Sequence, residues 1–180
     1  MDILLDRILG WIYAASLNVI ILVIVLSIVL TSFISSFRIK IFSGCYTICM
    51  LLSVLTILYT TVLSRLDTYC CELSLFPFWG IFHSGEAMRM YIMNAFLFFP
   101  YGLFLPHALP ERAKHPVRIT IISALFFSLI IETIQLIFRL GTCETDDVIM
   151  NTLGAAIGSL SFILSNCLQK WKEKRKVKST

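Results

Sequence analysis

The sequence predicts an all-α integral membrane protein, a bundle of about five transmembrane helices with a short interfacial or re-entrant segment between helices 2 and 3. Three observations carry that prediction. Hydrophobic residues make up 58% of the 180 positions and charged residues only 14%, where soluble domains carry about a quarter charged. The mean hydropathy of +0.86 suits a chain whose solvent is lipid. The apolar residues also come in blocks close to the roughly 20 residues that a helix needs to cross hydrocarbon.

Taken in order, the spans fall at about 8–34, 41–64, 90–109, 117–138 and 147–168. The first lacks the positive flank of a secretory signal, and its apolar run exceeds the roughly 7–15 residues of a signal core, so it reads as a retained helix. The second lies between Lys40 and Arg65, and the third contains Asn94 and Pro100. The fourth is interrupted by Glu132 and Gln135. Between the second and third, "LSLFPFWGIFHSG" (73–85) is apolar but too short to span as a helix. Pro77 and Gly80 break it, and Phe76, Phe78, Trp79 and Phe82 suit an interface. No linker or internal repeat divides residues 1–169, which read as a single transmembrane domain followed by a basic cytoplasmic tail, 170–180.

Lys and Arg counts set the direction. Arg38, Lys40, Arg112, Lys114, Arg118 and six tail residues give eleven on one side, against Arg7, Arg65, Arg89 and Arg139 on the other. The chain should therefore lie in the cell membrane with its N-terminus outside and its C-terminus cytoplasmic. The basic tail suits anionic headgroups, and with no folded reading surface it does not suggest nucleic-acid binding.

This direction sends the polar residues of five separate stretches to the outer leaflet: Arg65, Asn94, Glu132 with Gln135 and Arg139, Asp146 with Asp147, and Asn151. Ser128, Glu132, Gln135 and Arg139 recur at steps of four, three and four, and therefore share a helix face. Asp147, Asn151, Gly154 and Gly158 do the same in the fifth span. There "GAAIG" is a small-xxx-small pattern, so Gly154 and Gly158 are helix-packing candidates. A charge near the middle of a bilayer helix costs about 2.5–3.5 kcal/mol, so Glu132 must be neutralised, paired or wetted. Arg139 could reach back to it, and Asn94 or Asn151 could donate to it. Interhelical glue accounts for a single amide, and helix capping for Asp146 and Asp147. Neither accounts for Glu132.

At these residues the chain resembles the VanZ-like family, small integral membrane proteins linked to resistance to teicoplanin and other glycopeptides. The resemblance runs from about Arg65 to Gly158. It rests on Arg65 with "LSLFPFWG", Asn94 with "FFPYG" (98–102), Glu132 with Gln135, and the block Asp146, Asp147, Asn151, Gly154, Gly158. Ser74 and Glu144 depart from the pattern, standing where an Asn and an Asp are common.

Three functions compete. In the first, an outward-facing polar pocket binds, shields or rearranges a cell-envelope component, a cell-wall lipid precursor or a surface polymer, and so contributes to glycopeptide resistance. Arg65 or Arg139 would then engage a phosphate or carboxylate. In the second, a membrane-embedded enzyme acts on a lipid-linked phosphate or ester, with Glu132 in acid/base work and Asp146 and Asp147 orienting a divalent ion. His83, His107 and His115 are dispersed and build no nucleophile constellation. In the third, Asn94, Glu132 and Asn151 relay ions, but polar residues thin out toward the inner leaflet. No zinc-type cysteine spacing occurs, and neither a cofactor nor a resident metal is expected. Cys70, Cys71 and Cys143 are expected outside, where a disulfide is permitted. Cys45, Cys49 and Cys167 read as buried small hydrophobes. Nothing in the sequence sets the oligomeric state.

Overall fold

A computed structural model describes residues 2–37, 40–66, 70–74, 78, 85–110 and 112–179. Five long helices make the bundle: α1 (Asp2–Ser35), α2 (Lys40–Thr61), α3 (Gly85–Ala108), α4 (Pro116–Phe138) and α5 (Thr145–Ser179). All five are long and apolar enough to cross a membrane. The chain is a multi-pass membrane protein, and its surface says so. Leu22, Leu55, Phe126 and Ile137 are each at least 60% exposed, an arrangement stable only where the surroundings are themselves apolar.

The inside is built from small and hydroxylated side chains. Ser32, Thr120, Ser128, Ser159, Ser161 and Ser165 are all buried. Lipid tails are as apolar as Leu, so helices associate through close backbone approach and hydrogen bonds rather than by expelling water. The α3–α5 contact shows this most clearly. A Cβ on Gly154 would strike the backbone of Ala95, one on Gly158 that of Phe99 and Leu103, and one on Gly102 that of Ala155. The small-residue pattern of the fifth span thus seats α3 in its groove. Pro100 and Pro106 lie inside α3 without ending it. A small apolar core of Ile57, Phe98, Tyr101, Ala124, Ile131 and Ala155 fills the space between helices.

At the end where α1 and α3 finish, His107 is pinned between two hydroxyls, Ser35 Oγ at 2.8 Å and Ser161 Oγ at 3.1 Å. Ser32 Oγ donates to the Ser161 carbonyl at 2.9 Å. The basic tail continues α5 without a break. Its Lys172 donates to Ser36 Oγ at 2.6 Å and lies 3.9 Å from the Phe37 ring centre, clamping the helix to the end of α1.

At the opposite end the chain adds a short parallel strand pair, β1 (Cys70–Ser74) with β2 (Leu140–Glu144), in register from Cys70 opposite Leu140 to Ser74 opposite Glu144. The span bounds 117–138 and 147–168 leave only a short connection there. A parallel pair needs a long crossover, and α3 and α4 supply it. Of the proposed interfacial segment 73–85, Leu73, Ser74, Phe78 and Gly85 are described; Phe76, Pro77, Trp79, Gly80 and Phe82 lie outside the described residues. So do His83 and Glu111, and the side chains of Arg7, Cys70 and Cys71. One expectation about cysteine is corrected. Cys45 and Cys167 are exposed and Cys49 is half-buried, because in a membrane protein a small apolar thiol is as stable on the helix surface as inside the bundle.

Candidate functional site

The polar residues gather where the strand pair meets the helix ends. α5 begins directly after β2, so its first turn presents Asp146 and Asp147 to α3. Asp146 is buried and braces two elements. Its Oδ1 accepts the Phe78 backbone N–H at 2.8 Å, and its Oδ2 accepts the Tyr91 hydroxyl at 2.7 Å. With both oxygens occupied, this side chain ties Phe78 and the start of α3 to the first turn of α5. One turn along α3, Asn94 donates to Asp147 Oδ1. Adjacent acids on α5 thus hold residues three apart on α3, which share a face.

α4 contributes the stripe Ser128, Glu132 and Gln135, all buried. Glu132 Oε2 accepts the Glu144 backbone N–H at 3.2 Å, and the Cys143 side chain also bonds to this carboxylate. Gln135 Nε2 donates to the Thr61 carbonyl at 2.8 Å. Thr61 ends α2, where the last carbonyls have no helical partner, so Gln135 caps α2 from the neighbouring helix. Deeper in, Asn151 Nδ2 donates to Ser128 Oγ at 2.8 Å and ties α5 to α4.

Arg65 closes a short 3₁₀ turn, Leu63–Arg65, after α2. A Cβ on Gly141 would sit 3.4 Å from Arg65 Nη1. Gly141 has φ +126°, a conformation side chains rarely adopt, so the glycine both shapes β2 and leaves room for the guanidinium. Arg65 attracts both Glu132 and Asp147, while Glu144 repels both. Two carboxylates, Glu132 and Asp147, therefore feel one guanidinium, with Glu144 close to both and Asp146 beside Asp147. Such a field favours donors and cations, with Arg65 as a local attraction for an anion.

Arg139 takes a different place. The α4 helix stops at Phe138, and Arg139 adopts a left-handed conformation as its C-cap, with its N–H bonded to the Gln135 carbonyl. That turn breaks the step-of-four spacing, and the side chain is exposed. Asn94 and Asn151 also pair differently from expectation: they meet Asp147 and Ser128, not Glu132. Tyr91 was missed by sequence reasoning. Its signal was the i, i+3 relation to Asn94, masked because a Tyr at a span's start also reads as an interface anchor.

Among the described residues, three side-chain oxygens are buried with no hydrogen-bond partner: Tyr46 Oη, which lies by His107, and, in this site, Gln135 Oε1 and Asn151 Oδ1. Each would cost about 1–3 kcal/mol if left so, and native structures carry few such groups. No group of three or more His, Cys, Asp or Glu side chains among the described residues is placed to hold a metal ion.

Comparison with known proteins gives the site a context. The VanZ/LLP1 family matches residues 18–166. The chain is similar to Protein VanZ of Enterococcus faecium, 33% identical over 121 residues that make up 67% of this chain and 71% of that protein. No solved structure matches.

Proposed function

The chain belongs to the VanZ/LLP1 family, and from that premise we propose that its polar cluster forms a chamber that binds a component of the cell envelope and so contributes to glycopeptide resistance. The N-terminus lies outside in this reading, so that the chamber opens on the outer leaflet. The occupant is a wall-lipid precursor or surface polymer that carries hydroxyl, amide or ammonium donors beside an anionic group.

The single observation that carries the reading is the pair of orphaned carbonyl oxygens on Gln135 and Asn151. They stand on facing helices inside a network whose carboxylates are already held by Phe78, Tyr91, Asn94 and Glu144. Buried acceptors with no protein partner are placed to take incoming donors. Arg65 supplies a fork suited to phosphate or carboxylate. An envelope lipid or polymer that presents both chemistries fits such a lining, and its capture would change what a glycopeptide can reach.

The test is copurification with susceptibility measured in parallel. Wild type, Glu132→Gln, Asn151→Leu and Arg65→Lys are expressed to equal membrane levels in a Gram-positive host, and bound lipid is extracted and identified. Wild type should carry an envelope lipid or glycan that the variants lose, and should raise the teicoplanin inhibitory concentration where they do not. Unchanged susceptibility in all three variants at matched expression would overturn the reading.

A further inference from the structure

A cavity lies at the far end of the bundle, away from the carboxylates. It holds about 450 Å³ between the start of α4 and the last third of the buried part of α5. Val117, Phe162 and Ile163 give it an apolar wall, and His115, Arg118 and Lys170 bring basic groups to its rim. Arg118 and Lys170 are exposed, so their charged ends are free to turn toward a ligand.

The local backbone adds to the same effect. His115 precedes α4 in a left-handed conformation, φ 59°, and provides no side-chain cap. Pro116 follows it at the head of the helix. The first N–H groups of a helix have no internal partners, and together with the helix dipole they favour negative charge. Asn166 lines the cavity as a neutral donor, and among the described residues no acidic side chain does. Glu173, on the same helix, lies outside it.

We propose that this groove is a headgroup site for an anionic phospholipid of the leaflet that meets the basic end of the bundle. The occupant follows from charge complementarity and from position. Two membrane-spanning helices form the walls, so the groove is reached from the bilayer. Its apolar side takes the glycerol and upper acyl carbons, and its cations take the phosphate. Basic pockets between helices at this depth are a known way for proteins to hold anionic headgroups. The proposal is independent of the chamber at the other end and survives if that reading fails.

The test titrates the detergent-solubilised full-length protein with dioleoyl phosphatidylglycerol or dioleoyl phosphatidylcholine and counts bound lipid by native mass spectrometry. Phosphatidylglycerol should bind wild type more tightly than phosphatidylcholine does. Arg118→Gln with Lys170→Gln should weaken it about thirtyfold, the expected effect of removing two cations near a headgroup. The charge-matched control, Lys174→Gln with Lys176→Gln, should stay within about threefold. Arg118→Lys with Lys170→Arg should keep most of the binding. As a check free of charge changes, a Trp placed by Ile163→Trp should be quenched more by brominated phosphatidylglycerol than by the brominated choline lipid. Equal binding of the two lipids, or equal loss in the two Gln doubles, would overturn the site. Competition by millimolar inorganic phosphate as effective as that by the lipid would show an anion hole rather than a lipid site, and would overturn it too.

Discussion

Replacing Tyr91 with Phe removes one hydroxyl and leaves the ring in place. In the structure that hydroxyl donates to Asp146 Oδ2 at 2.7 Å in a buried setting, while the other oxygen keeps the Phe78 N–H. Two magnitudes compete for the size of the effect. Interhelical hydrogen bonds in membrane proteins average only about 0.6 kcal/mol in double-mutant cycles, because the unfolded chain finds other partners. Leaving a buried acceptor without its donor costs about 1–3 kcal/mol, because water does not readily replace the lost partner. The acceptor here is a 5% exposed carboxylate, so the second consideration wins. Tyr91→Phe should cost about 1.5 kcal/mol. The assay is reversible SDS-induced unfolding of the detergent-solubilised protein, run as a cycle with Asp146→Asn. The coupling energy should exceed about 1 kcal/mol. A coupling below about 0.5 kcal/mol would show that water or another donor replaces the hydroxyl at no cost, and would refute the bracing role of Asp146.

Further outcomes follow from other contacts. Gly154→Ala and Gly158→Ala each drive a Cβ into the α3 backbone and should destabilise by about 1–3 kcal/mol in the same assay, whereas Gly44→Ala, with nothing within 4 Å, should be neutral or mildly stabilising. Gln135→Leu uncovers the buried Thr61 carbonyl and should lose about 1–2 kcal/mol while removing one orphaned oxygen. In a cysteine-free background, Arg139→Cys should react with an impermeant maleimide added to intact cells and Lys174→Cys should not. The reverse pattern would overturn the orientation drawn from the eleven-to-four charge count.

The helices were legible because hydrocarbon thickness imposes a minimum apolar length and the charges that bound each run stand out against it. The α3–α5 contact was legible in part. "GAAIG" announced a close approach but not the partner, which depends on Gly102 and Ala95 across the bundle. The strand pair was not legible. "CCELS" and "LGTCE" show no period-two alternation, and a five-residue parallel partner far along the chain leaves no local trace. Within the site, the residue types were visible and their pairings were not. Helical period linked Glu132 to Arg139 by assuming that α4 continued one residue longer than it does. Tyr91 and the Thr61 carbonyl escaped because an interface tyrosine and a backbone oxygen are unremarkable in sequence. Cys45 and Cys167 were misplaced because a small apolar thiol suits the lipid-facing side of a helix as well as the inside.

The strand pair has a consequence for how the chain is made. β1 leaves the ribosome long before β2, and two whole helices must enter the bilayer before the strands can meet. Until β2 arrives, Glu132 has no Glu144 amide, and until α5 follows, Tyr91 and Asn94 have no aspartates to hold. A nascent or truncated chain therefore shows the insertion machinery a carboxylate stranded beside oil. Delivery of the strand and the last helix supplies these partners together, so the polar contacts form only when the chain is nearly whole.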